Sequence, residues 1–268
     1  MTVFDDGIAL EALGDGLLRG RTVPQWANMV GPFGGITAAT LLRAVELQSD
    51  VHGFPVALTV NYLAPIADGG DFDIRARAVR TNRSNQHWYV ELSQNGEVKT
   101  TATAVFAVRR ETWADTEIGR PDVGAPESIE DASAGFGGVA WTRNYDLRFI
   151  DGALPAAGAG ESTTSTTTLW VRDRPARPID FASLTSLCDI FYPRLWLRRG
   201  QLLPAGTISF TAYFHAGPAE LAEQGDGYLL ATARAQGFSG GHFDQSAQIW
   251  SRAGDLLATT HQLVYYKA

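Results

Sequence analysis

The chain has one cysteine, Cys188, so no internal disulfide can form, and a reducing cytoplasm is the expected setting. No apolar run is long enough to cross a bilayer. The opening Met-Thr-Val-Phe-Asp-Asp lacks the basic flank and apolar stretch of a signal peptide, so no membrane span or export is expected. Positive charge is scarce: 22 Lys and Arg face 29 Asp and Glu, for a net charge of −7. That balance argues against a polyanion-binding surface and against nucleic acid as a partner. The five histidines show no metal-ligand spacing, and no metal or other cofactor is expected.

What is present is an ordinary globular composition, 45% hydrophobic and 19% charged, over 268 residues, enough for one large domain or two small ones. Residues 1–30 read as a short strand, a Gly-Asp-Gly turn at 14–16, a second strand and an aromatic anchor at Trp26. Gly34-Gly35 precede a helix rich in Ala and Leu, apolar around most of its girth and therefore buried. Strands are expected over 54–63, 72–81, 86–94 and 97–109, the last two a hairpin across Asn95-Gly96. Residues 111–135, rich in Pro, Gly, Ala, Asp and Glu and without periodicity, read as a linker between an N-terminal unit (1–110) and a C-terminal one (136–268). Beyond it, strands are expected over 141–150, 161–171, 207–215 and 228–236, with a loop over 216–227 and a final hairpin over 243–251 and 256–266.

Residues 184–197 read as one helix, its stripe formed by Leu184, Leu187, Cys188, Phe191 and Leu195, its N-cap by Asp180, and its kink or end just past Pro193. Asp189 is the one carboxylate in this greasy run. A buried acid there costs stability unless it is paired or used.

The two halves repeat one pattern of strand, buried helix and four antiparallel strands. Val60-Asn-Tyr-Leu-Ala-Pro65 lines up with Thr211-Ala-Tyr-Phe-His-Ala216, an offset of 151, and the strand after Asn95-Gly96 lines up with the one after Ala253-Gly254. A period this long with two copies means a duplicated domain. By these offsets Thr207 falls over Val56, Gln262 over Ala104 and Asp189 roughly over Gly35. One copy is polar at three places where the other is not, the pattern of a single composite site with chemistry from one half and walls from the other.

A central helix wrapped by a curved antiparallel sheet, twice, is a double hotdog of the α+β class. The whole chain resembles the acyl-CoA thioesterase II family. The resemblance is sharpest in Leu187-Cys-Asp-Ile-Phe-Tyr192, in Gly206-Thr-Ile-Ser-Phe-Thr-Ala-Tyr-Phe-His215 and in Leu256-Leu-Ala-Thr-Thr-His-Gln262. It implies hydrolysis of a fatty acyl-CoA thioester by a water held on Asp189, Thr207 and Gln262, with acyl-CoA as substrate and a homo-oligomer as assembly. Chemistry agrees: hydrolysis needs a base, groups that orient the water, and donors for the carbonyl oxygen. Asp189 can be the base, Thr207 and Gln262 the orienting groups, and the free N–H groups at Gly34-Gly35 an oxyanion site. The rival reading is a non-catalytic acyl-CoA or acyl-chain binding protein.

Four details remain at this level. Thr207 alternates with Ile208 and Phe210, which look like the buried side, so either it precedes the regular alternation or the helix-facing side is unusually polar. Gly237-Phe-Ser-Gly-Gly241 fits the serine-hydrolase elbow, but His242–Trp250 reads as a strand where that motif requires a helix, so the match reads as chance. Arg75, Arg77, Arg80 and Arg83 could meet coenzyme A phosphates, although alternating arginines on a strand usually form a solvated face. Cys188 reads as a core thiol, and His215 and His261 as borders of the site at most.

Overall fold

The computed structural model describes residues 2–133, 138–156 and 159–267. In the N-terminal half, helix α1 (Val3–Gly7) is followed by β1 (Glu11–Gly14), β2 (Leu17–Arg21), helix α2 (Gly34–Glu46), β3 (Phe54–Tyr62), β4 (Asp71–Thr81), β5 (Asn85–Gln94) and β6 (Glu97–Ala107). The C-terminal half holds β7 (Tyr145–Asp151), β8 (Thr167–Asp173), α3 (Phe181–Leu187), α4 (Arg194–Arg199), β9 (Ala205–Phe214), α5 (Pro218–Gln224), β10 (Leu229–Arg234), β11 (Phe238–Ser239), β12 (His242–Trp250) and β13 (Leu256–Tyr266). All thirteen strands join one sheet in the order β1-β2-β4-β5-β6-β3-β9-β13-β12-β10-β8-β7, with β11 on β12. Every pairing is antiparallel. The buried helices α2 and α3 pack against each other, and one apolar core runs through both halves. This is the double hotdog. Among the described residues no helix is long and apolar enough to cross a membrane.

The halves meet along β3 and β9, where Thr59 faces Thr211 and their hydroxyls bond at 3.1 Å. Since these counterparts pair with each other, the structural offset is 152 (211 − 59), one more than the sequence motifs suggest. Each half carries the same β-bulge. The β3/β6 register skips Val56, between Pro55 and Ala57, and the β9/β13 register skips Ile208, between Thr207 and Ser209. Thr207 therefore corresponds to Pro55, not Val56, whereas Gln262 does correspond to Ala104, because Phe210 and Leu58 are their matched partners.

Several expected elements differ, each for a local reason. The helix expected over 184–197 is two short helices: α3 begins at the Asp180 cap, whose Oδ1 accepts from Ser183 N at 2.8 Å, and ends at Leu187, six residues before Pro193. Pro193 then sits at the N-cap of α4, where its missing donor costs nothing. The strand expected over 161–171 starts only at Thr167, because Ser162 and Thr164 hydroxyls accept from the backbone N–H groups of Thr164 and Thr166 in place of a ladder partner. The first half of the expected 141–150 strand is a 3₁₀ turn, Ala140–Asn144. The loop over 216–227 contains α5, started by Pro218 and by Glu220, which accepts from Gly217 N at 2.8 Å. Helix α1, not foreseen, has its own signal in the Thr2/Asp5 capping box. Residues 111–125 carry no regular element, and the segment is tied to the C-terminal half by Trp170 Nε1, which donates to Gly124 O at 2.8 Å, and by the Arg252–Glu127 ion pair. The expected boundary at 135/136 lies outside the described residues.

Candidate active site

Asp189 stands just past the end of α3, its N–H bonded to Ser186 O at 3.1 Å, and meets the first turn of α2. Phe33, the N-cap of α2, has no side-chain oxygen to offer, and the Asp189 carboxylate from the other half takes that place, accepting from the Gly35 backbone N–H. Two glycines permit the approach. A Cβ on Gly34 would lie 2.7 Å from Asp189 Oδ2, and one on Gly35 would lie 2.6 Å from Ser186 O. Gly35→Ala should therefore destabilise the protein by ~2 kcal/mol in thermal denaturation, although alanine is the better helix former, because a backbone oxygen cannot move aside cheaply. A neutral or stabilising result would refute the close contact.

Gln262 is buried on the inward face of β13, and its Nε2 donates to Asp189 Oδ1 at 2.7 Å. Its Oε1 accepts from Thr207 Oγ1 at 3.1 Å. The bulge at Ile208 explains how Thr207 reaches the site: the skipped residue reverses the alternation, so Thr207 pairs with inward-facing Val264 and shares the face of Phe210. The three polar residues thus form one chain, Thr207 to Gln262 to Asp189. Burial pushes the Asp189 carboxyl up to about 7, while the hydrogen bonds from Gln262 and Gly35 act in the opposite direction. An acid poised there exchanges protons at neutral pH.

The chain lies in a cleft of about 700 Å³ lined from both halves. The N-terminal half supplies Phe33, Gly34 and Tyr62, and the C-terminal half Trp141, Leu154, Phe191, Tyr192, Trp196 and Leu203. Phe33 stacks on Trp141 at 4.1 Å between ring centres, and Tyr192 on Trp196 at 6.1 Å. Of the two glycines expected to offer free N–H groups, Gly34 lines the cleft, whereas the Gly35 N–H is committed to Asp189.

Two family models match the chain, an acyl-CoA thioesterase N-terminal domain over residues 23–107 and an acyl-CoA thioesterase C-terminal domain over 121–266. The chain belongs to the acyl-CoA thioesterase II family. The thioesterase is also similar to a hot dog fold protein of unknown function from Alicyclobacillus acidocaldarius, with 47% identity and a TM-score of 0.95 over 100% of this chain and 99% of that one. Its fold is shared with the acyl-CoA thioesterase II TesB2 of Mycobacterium marinum (19% identity, TM-score 0.77, 99% of this chain and 98% of that one). The tesB protein of Mycobacterium avium subs paratuberculosis shares it too (17% identity, TM-score 0.80, 99% and 98%). No curated protein matches. The enzyme is a thioester hydrolase acting on acyl-CoA.

In this thioesterase Tyr62 is a wall residue that sequence reasoning passed over. Its hydroxyl donates to Gly34 O at 2.8 Å, and burial together with the Asp189 charge pushes its phenol well above the usual range. No pattern in the sequence separates it from an ordinary strand tyrosine. Neither Arg75, Arg77, Arg80 nor Arg83 lines the cleft. His215 bonds Thr259 and His261 faces Asp244, also away from it. Ser239 lies in the tight β11/β12 hairpin that turns at Gly240-Gly241, with no helix after it, so it is not a nucleophile elbow. Cys188 is a core thiol, raised further by burial and by the neighbouring Asp189 charge.

Proposed function

We propose that this thioesterase hydrolyses fatty acyl-CoA through a water activated by Asp189 and oriented by Thr207 and Gln262. The observation that carries this reading is the unbroken hydrogen-bonded chain of the three residues within an apolar, aromatic cleft. The acyl chain lies against Trp141, Leu154, Phe191 and Trp196, which remove its methylenes from water. Water held on Asp189 attacks the thioester carbon as the carboxylate takes its proton. The C–S bond then breaks, and the departing thiolate takes that proton back, giving acid and free thiol. The Gly34 N–H at the positive end of α2 faces the developing oxyanion.

Release of free thiol from acyl-CoAs of short to long chain tests the proposal. Thr207→Val should lower kcat about 10-fold and Gln262→Leu about 100-fold, because each removes a group that orients the water or holds the base. Folded variants of both that turn over like the wild type would place the chemistry elsewhere.

A further inference from the structure

Arg194, the first residue of α4, is fully buried. Its Nε donates to Tyr192 O (3.1 Å) and Gln245 Oε1 (3.0 Å), its Nη1 to Ser165 O (3.1 Å) and Thr167 Oγ1 (2.5 Å), and its Nη2 to Tyr192 O (2.6 Å). The Tyr192 and Phe191 rings lie 4.4 and 5.7 Å from the guanidinium carbon. Every one of these partners is neutral, and among the described residues no carboxylate forms an ion pair with Arg194. Holding a cation there without a countercharge is costly, and packing alone gives no reason for it.

The one Arg194 partner that also lines the cleft with a side-chain amide is Gln245. On β12 it sits directly opposite Gln262, so the two amides leave neighbouring positions on one face. Gln262 thus has its hydrogen-bond partner Thr207 on the β9 side and Gln245 directly opposite on the β12 side. Because the Gln245 Oε1 must face the Arg194 donors, its Nε2 turns away from the cation. That N–H₂ has no acceptor among the described residues and is not sealed off as a buried orphan, although the residue is only 1% exposed. The surface left to it is the cleft.

A tetrahedral intermediate is best held by preorganised donors in a water-poor site. With the Gly35 N–H engaged by Asp189, the first turn of α2 leaves Gly34 facing the cleft. We propose that Gln245 is a second oxyanion donor, its Nε2–H₂ meeting the thioester carbonyl oxygen, and that Arg194 is the positioning residue that aims and polarises this amide. The inference rests on the proposed attack by an Asp189-held water. As the C–O bond to water forms, the carbonyl π pair moves onto oxygen and is met by the Gln245 donor. Collapse restores the C=O bond and expels the thiolate. A cation without a countercharge behind the amide suits an oxygen that gains negative charge, more than a neutral acceptor on the acyl chain.

The test compares Gln245→Leu, Gln245→Glu and Asp189→Asn in the full-length protein. Gln245→Leu should lower kcat about 100-fold with little change in KM. Gln245→Glu restores the contact to Arg194 as an ion pair, so a merely structural role predicts rescue; the oxyanion role predicts a loss at least as large as for leucine, since the donor is gone and the cation neutralised. A binding readout accompanies turnover. Wild type should bind a coenzyme A-linked trifluoromethyl ketone, which hydrates to a tetrahedral adduct, more tightly than the matching alkyl-CoA thioether, and Gln245→Leu should abolish that margin. Gln245 variants that keep wild-type kcat and ketone preference, beside an inactive Asp189→Asn, would overturn this inference alone. An Asp189→Asn protein with full activity would overturn the reading of the site on which it rests.

Discussion

Asp189→Asn should reduce kcat/KM for acyl-CoA hydrolysis by about 10³-fold, the scale of losing a general base. Asparagine keeps the shape and can still accept from the Gly35 N–H, so the cleft should persist while the proton acceptor is gone. The wild-type pH profile gives a second reading of the same residue. Because burial holds the carboxyl at about 7 and the base must be ionised, kcat/KM should rise with pH through that value and level off above it. An ordinary carboxylate would already be flat at pH 6. The residual activity of Asp189→Asn should lack this inflection. A profile unchanged by the substitution would assign the titration to another group.

The same substitution should make the protein more stable at pH 8. Asp189 ionises at about 7 when folded, against an ordinary value of 3.8, so the unfolded chain releases its proton first as pH rises. Between those values the folded state binds the extra proton. Stability contributed by the group is therefore full below about pH 4, falls as pH climbs to 7, and stays lost above it. The shift corresponds to at most ~4 kcal/mol. Asp189 is only half-buried toward the cleft, and water reaching the carboxylate there reduces the expected effect to ~2 kcal/mol. Thermal denaturation of wild type and Asp189→Asn should thus differ by several degrees at pH 8 and converge near pH 4. Equal melting temperatures at pH 8 would mean that the carboxylate is not strained by its surroundings. On the proposed role of Asp189 as the base, function and stability are opposed at this residue.

The outline of the fold was legible because its signals are local and repeated. Asn95 and Gly96 adopt φ of 55° and 79°, the left-handed pair a two-residue hairpin needs, and the strands on either side follow from it. Asp180 caps α3 as its carboxylate suggested. The length of α3 was not legible, since its apolar stripe continues past Leu187 into residues that are buried without being helical. In the site, Gln262 and Thr207 were singled out by the family resemblance and by comparing the two copies, and the bulge that turns Thr207 inward left no mark beyond an interrupted alternation. The commitment of the Gly35 N–H to Asp189, and the meeting of Arg194 with Gln245 across 51 residues of chain, arise from tertiary packing that no periodicity encodes.

The β3/β9 seam is the kind of twofold contact through which two identical subunits associate, residue facing its own equivalent. Identical subunits must carry identical sites, so a pair of unlinked copies would hold two catalytic centres or none. Joining the copies in one polypeptide removes that constraint. Here Pro55 and Ala104 occupy the places matched to Thr207 and Gln262, so the proposed assignment gives one hydrolytic centre per chain. The N-terminal half then lends Phe33, Gly34 and Tyr62 to the cleft without a second Thr–Gln pair, so β3 and β6 are free to vary at the positions matched to that pair.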